Sequence, residues 1–83
     1  MEQETQGRPR GSRADAVDSH RLILIKNVRV LRATYQVRLL TYFAAKQGKK
    51  LVIVLPEGAA AHSSLQSLMV RSGDVIVLER QLG

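Results

Sequence analysis

Three places in this 83-residue chain set chemically capable residue types side by side. In the first, His62 precedes Ser63 and Ser64, an imidazole beside hydroxyls. That suggests a nucleophile with its base. Members of a catalytic triad, however, meet in space and are seldom sequence neighbours, and no G-x-S-x-G turn surrounds either serine. A loop histidine followed by a helix-capping Ser63 accounts for the pair. The second is Glu57–Gly58, which follows the aliphatic run Leu51–Leu55 and precedes a helical pattern. A phosphate cradle needs several glycines, so that backbone N–H groups can close on the anion. Here one glycine stands beside a carboxylate that repels anions, so the stretch reads as a corner.

The third place is a charge run. Between Arg21 and Lys50 there are eight bases and no acid: Arg21, Lys26, Arg29, Arg32, Arg38, Lys46, Lys49 and Lys50. Residues 21–83 carry ten bases against three acids, while the whole chain is +6. A one-signed stretch of this length sets up a field that attracts anions. Tyr35, Tyr42 and Phe43 lie inside it, and basic surfaces interleaved with aromatics hold single nucleic-acid strands. RNP-type aromatic strands, a GXXG loop and Cys/His fingers are all missing, so the signal is compositional. The bland reading of the same run is a solvated face that keeps the protein soluble.

The chemistry therefore points away from catalysis. His20 and His62 stand far apart and the chain has no cysteine, which leaves no zinc signature, no thiolate and no disulfide. No catalytic residue, metal or cofactor is expected, and the protein reads as a non-enzymatic binding module. RNA or DNA is the expected partner, with Lys26, Arg29, Arg32, Arg38, Lys49 and Lys50 on phosphates. The rival is a protein–protein or homodimer module whose interface is Leu31, Tyr35, Leu39 and Tyr42. Were the protein an enzyme, its ligand would sit near Lys26, Asn27, Glu79 and Arg80, beyond the strand carboxyl ends.

These residues need elements to position them. Residues 1–20 hold Gly7, Pro9 and Gly11 and almost nothing apolar, and they read as a disordered tail. One domain, 21–83, is expected behind it. Its aliphatic runs, "RLILIK", "KKLVIVLP" and "DVIVLER", read as three strands, the second closed by Pro56. "NVRVLRATYQVRLLTYFAAKQG" has no Gly or Pro before Gly48, which predicts one long helix with Asn27 near its start; a hairpin around Lys26–Asn27 is the competing reading. A shorter helix is expected from Ser63, with Gln66 completing a capping box and Gly73 at the left-handed end.

The expected order is β-α-β-α-β with parallel strands and right-handed crossovers. Apolar residues at consecutive strand positions imply a sheet covered on both faces. That favours sheet order 2-1-3, with one helix on each face. Order 1-2-3 leaves one face bare for a dimer to cover. On the long helix, Val30, Ala33, Val37, Leu40 and Ala44 form one stripe at 100° per residue, and Val28, Leu31, Tyr35, Leu39 and Tyr42 form another opposite it. One core needs one stripe, so the aromatic one is the candidate for contact with something outside the monomer. No run approaches the ~20 apolar residues that span a bilayer, and the N-terminus has no apolar signal core. A cytoplasmic protein, with no membrane partner, is expected.

Overall fold

The computed structural model describes residues 14–81. Expectations for residues 1–13 and 82–83 lie outside it. Along the chain come β1 (Ala16–Val17), β2 (Arg21–Ile25), β3 (Val30–Leu31), α1 (Tyr35–Gln47), β4 (Lys50–Pro56), β5 (Ala60–Ala61), α2 (Ser63–Arg71) and β6 (Ile76–Gln81). The three expected aliphatic strands are β2, β4 and β6, and they pair in parallel. This is a small α/β fold with two helices. Its main sheet is mixed rather than three-stranded and parallel, because β1 adds an antiparallel fourth strand beside β2.

The sheet order is β1-β2-β4-β6, which corrects the expected 2-1-3 to 1-2-3. The reason lies in residues assigned to the tail. Asp18 accepts hydrogen bonds from the backbone N–H groups of His20 and Arg21 at 2.8 and 2.7 Å, and so turns the chain back on itself. Ala16 and Val17 then pair with Ile23 and Leu22. The Asp15 carboxylate accepts the Ile25 N–H at 2.7 Å. The outer edge of β2 is thereby taken, β4 lies on its inner edge, and β6 lies beyond β4.

Two same-handed crossovers in that order set both helices on one face. In register, Leu22 lies beside Leu51 and Ile76, and Leu24 beside Ile53 and Leu78. These residues meet Val37, Leu40 and Ala44 of α1 and Leu65 of α2 in the core. The opposite face carries Ile23, Val52 and Val77 in one rung, and Ile25, Val54 and Glu79 in the next. The consecutive apolar positions thus divide by shape. Leucines dominate the helix side, and the apolar residues of the other side are β-branched.

The long helix starts eight residues later than expected. Residues 27–34 instead form a linker whose Val30–Leu31 pairs in parallel with Ala60–Ala61. Val28 and Val30 favour extended backbone, and Thr34 supplies the cap by accepting the Val37 N–H at 3.3 Å. Lys26–Asn27 is no hairpin, since the chain goes on to that second small sheet. The end of α1 falls as expected. Gly48 has φ +69°, Gly48 N–H reaches the Ala45 carbonyl, and Lys49 N–H reaches that of Ala44, a Schellman closure.

Candidate nucleic-acid interface

α1 buries Val37, Leu40, Thr41 and Ala44. At 100° per residue the opposite side carries Tyr35, Arg38, Leu39, Tyr42 and Lys46, a stripe about 100° wide. Tyr35 is 69% exposed and Tyr42 56% exposed. Arg38 and Lys46 are exposed, and Leu39 is half-buried at the stripe's flank. Tyr35 and Tyr42 stand seven residues apart, a rise of about 10.5 Å along the axis at 1.5 Å per residue. The Lys46 ammonium sits 5.5 Å from the Tyr42 ring centroid, close enough for a cation–π contact, and Tyr42 touches Phe43 at 5.8 Å between centroids. Aromatic and cationic groups therefore alternate along one exposed helix face.

The eight cations between Arg21 and Lys50 divide into two sets. Arg21 pairs with Asp18 and Lys50 with Asp74, each at 3.0 Å. The His20 backbone N–H, with Arg21, holds the Asp18 carboxyl below its ordinary value. The Lys50 ammonium does the same for Asp74. Lys26, Arg29, Arg32, Arg38, Lys46 and Lys49 form no ion pair with the described residues. Their charge is uncompensated at short range. α1 runs antiparallel to the strands, so Arg29 and Arg32 precede its N-terminal end and Lys46 and Lys49 mark the other. The unpaired cations thus stand before, along and after the exposed helix face.

Three sequence-derived positions sit differently from expectation. Leu31 lies in β3, 3% exposed and packed in the core, so it takes no part in the exposed stripe. Lys50 donates to the Asp74 carbonyl as well as to its carboxylate, which ties it to the turn before β6. Lys46 was not among the expected phosphate contacts, yet it belongs to the stripe. The signal for it was the i, i+4 spacing from Tyr42.

His62 and the serines form a structural knot. His62, not Ser63, is the N-cap residue of α2, and its Nδ1 lies 3.1 Å from the Ser64 backbone nitrogen. Its Nε2 lies 2.9 Å from Arg32 Nη1, and its Nδ1 lies 3.0 Å from Ser64 Oγ. A neutral imidazole has one lone pair. It therefore either caps the Ser64 amide through Nδ1, or accepts from Arg32 through Nε2 while Nδ1–H donates to Ser64 Oγ. Ser64 Oγ also accepts the Ala33 N–H at 3.0 Å. Gln66 does not complete the capping box; its amide donates to the Ala61 carbonyl at 2.7 Å. The cluster fastens the linker before α1 to the start of α2.

Glu57 and Gly58 form a turn, with Gly58 at φ +88°. With Asn27, Val28, Arg29 and Ala59 they line an open cleft of about 460 Å³ beyond the carboxyl ends of β2 and β4. Its lining holds one cation and one carboxylate. Among the described residues no three His, Cys, Asp or Glu side chains gather as a metal site, and no helix is long and apolar enough to cross a membrane. Comparison with known proteins finds no matching family model, no matching curated protein and no matching solved structure. The functional reading rests on the surface itself, an α/β scaffold presenting a basic, aromatic helix.

Proposed function

We propose that the protein is a non-enzymatic nucleic-acid-binding module that receives a single strand of RNA or DNA along the outer face of α1. The observation that carries this reading is the alternation of exposed Tyr35, Arg38, Tyr42 and Lys46, with no carboxylate paired to either cation. Exposed aromatic rings have no partner to gain in water, whereas every base offers a π-face on which to stack. Cations spaced between them can neutralise the phosphates that the stacked bases bring alongside. A 13-residue helix is about 20 Å long, enough for a few nucleotides. Phosphate contacts carry no base information, so the binding is expected to tolerate sequence.

Fluorescence anisotropy with short labelled oligonucleotides tests the reading. Tyr35→Ala and Tyr42→Ala should each weaken binding by about 1–3 kcal/mol if the ring stacks on a base. Circular dichroism of both variants should be unchanged, because each ring is largely outside the core. Duplex of the same sequence should bind more weakly than single strand, since its bases are not free to stack. No detectable binding of either variant's parent at low salt refutes the proposal.

A further inference from the structure

Among the described residues, no helix lies over the sheet face opposite α1 and α2, and that face is apolar. Ile23, Val52 and Val77 lie side by side in register, with Ile25 and Val54 in the next rung. Ile25 is 52% and Val77 36% exposed. Val52 is 4% exposed and stands outside the helix-side core. Parallel sheets are found almost always with both faces covered, and this one has helices on one face alone.

Charge identifies what covers it. In a two-fold dimer each surface meets a copy of itself. Through the α1 stripe, such a dimer would bring Arg38 and Lys46 against the same cations of its partner. The sheet face is the opposite case. At one end lie Arg21 and Lys50, already paired with Asp18 and Asp74. At the other end lies Glu79, exposed and without an ion pair among the described residues. This is a surface of balanced charge on a basic chain.

We infer that the Ile23–Val52–Val77 face is a docking surface for a second copy of this chain, stacked sheet on sheet about a two-fold axis perpendicular to the strands. Register shows how the copies fit. Lys50 neighbours the position of Val75, two residues before Val77. With the axis through the Ile23–Val52–Val77 rung, each of these residues faces its own copy. The Ile25–Val54–Glu79 rung then lies over the partner rung of Arg21 and Lys50. Glu79 reaches toward the partner's Lys50, and Ile25 lies along the stem of the partner's Arg21. Packed sheets lie ~10 Å apart and are rotated by about 30°, which long Lys and Glu side chains accommodate.

Area sets the strength. Three strands ~4.8 Å apart, with five residues each at ~3.3 Å, give roughly 240 Å² of projected face per copy, to which two-residue β1 adds little. Standard interfaces bury about 800 Å² per partner, so this dimer belongs among weak, concentration-dependent ones. Both α1 stripes face outward from it, and it stands or falls independently of nucleic-acid binding.

Sedimentation equilibrium of the full chain, from low micromolar to about 1 mM, is the test. The mass should rise toward two chains with concentration. Val77→Lys and Ile25→Lys should each hold it at one chain, with circular dichroism unchanged. Glu79→Lys should weaken association about fivefold, since two symmetric ion pairs become repulsions. Leu39→Lys on α1 should leave it unaltered. A chain that stays monomeric to about 1 mM overturns the proposal, as does a dimer that survives both Val77→Lys and Ile25→Lys or is abolished by Leu39→Lys.

Discussion

Salt dependence should reveal how many phosphates α1 meets. A strand laid along the helix passes Arg32 before its start, Arg38 and Lys46 on its outer face, and Lys49 just past its end. None of the four is held by a carboxylate among the described residues. Each phosphate contact on a single strand contributes a slope of about −0.7 in log K against log salt. Four contacts predict about −2.8. Raising salt fourfold, from about 50 to about 200 mM, should then weaken binding about fifty-fold. Arg38→Glu removes one contact, so the slope should flatten to about −2.1 and the same change should cost about eighteen-fold. Reversing Lys50 instead should leave the slope unaltered, because Asp74 already engages that ammonium at 3.0 Å. The measurement is anisotropy titration of one oligonucleotide at four salt concentrations. Equal flattening by Arg38→Glu and Lys50→Glu would refute the reasoning, because it would mean that binding responds to net charge and not to the unpaired cations of α1.

Other expectations follow from the fold. Ile53→Ala removes a fully buried side chain from the helix-side core and should cost about 2–5 kcal/mol in urea unfolding, while Ile25→Ala, measured at low micromolar concentration, should cost about 1 kcal/mol or less. Gly48→Ala forces a non-glycine residue into φ +69° and should cost about 1 kcal/mol. Truncation to Arg21 removes β1, the Asp18 turn and the Asp15 bond to Ile25, so its thermal unfolding should fall well below that of the full chain. Asp18 and Asp74 titrate below their ordinary value of 3.8 in the folded protein. Their stabilisation is present above the unfolded value and is lost as pH falls through the folded one; thermal unfolding between about pH 5 and pH 2 should show the loss, and Asp74→Asn should reduce it.

The strands β2, β4 and β6 and the C-terminal ends of both helices were legible because they are written in local chemistry. Pro56 halts a ladder, and Gly48 and Gly73 take up positive φ where each helix turns out. From Tyr35 onward the spacing of Val37, Leu40 and Ala44 against Tyr35 and Tyr42 also separates buried from exposed. What escaped notice is non-local. The start of α1 was obscured because residues 27–34 contain no Gly or Pro, yet their partner, Ala60–Ala61, lies thirty positions away in register. β1 escaped because two residues in a polar segment carry no periodicity; its place depends on Asp15 and Asp18, which grip the backbone of β2. With that edge occupied, the sheet order changed, and with it the assumption that consecutive apolar residues need two helix layers.

The two faces of the domain then stand in physical opposition. Arg38 and Lys46, which form no ion pair among the described residues, lie on the outer face of α1, and Arg21 and Lys50 on the sheet face are matched by Asp18 and Asp74. The arrangement restricts what each face can accept. A second copy of a +6 chain is repelled wherever it presents unpaired cations to unpaired cations, which is why the proposed dimer uses the sheet. On the proposed reading a polyanion is expected at α1 rather than at the sheet face, where Arg21 and Lys50 are already ion-paired and Glu79 is exposed. Under the two proposals the faces do not compete, because the dimer buries β-branched residues of the sheet and leaves Tyr35 and Tyr42 of both copies in solvent. A strand long enough to reach both helices should therefore bind more tightly than a short one, by a factor that grows with protein concentration as the dimer fills. Val77→Lys should abolish that length advantage and leave the affinity for the short strand unchanged. A length advantage that persists in Val77→Lys would show that two monomers bind one strand independently, and that dimerisation and nucleic-acid binding are unconnected.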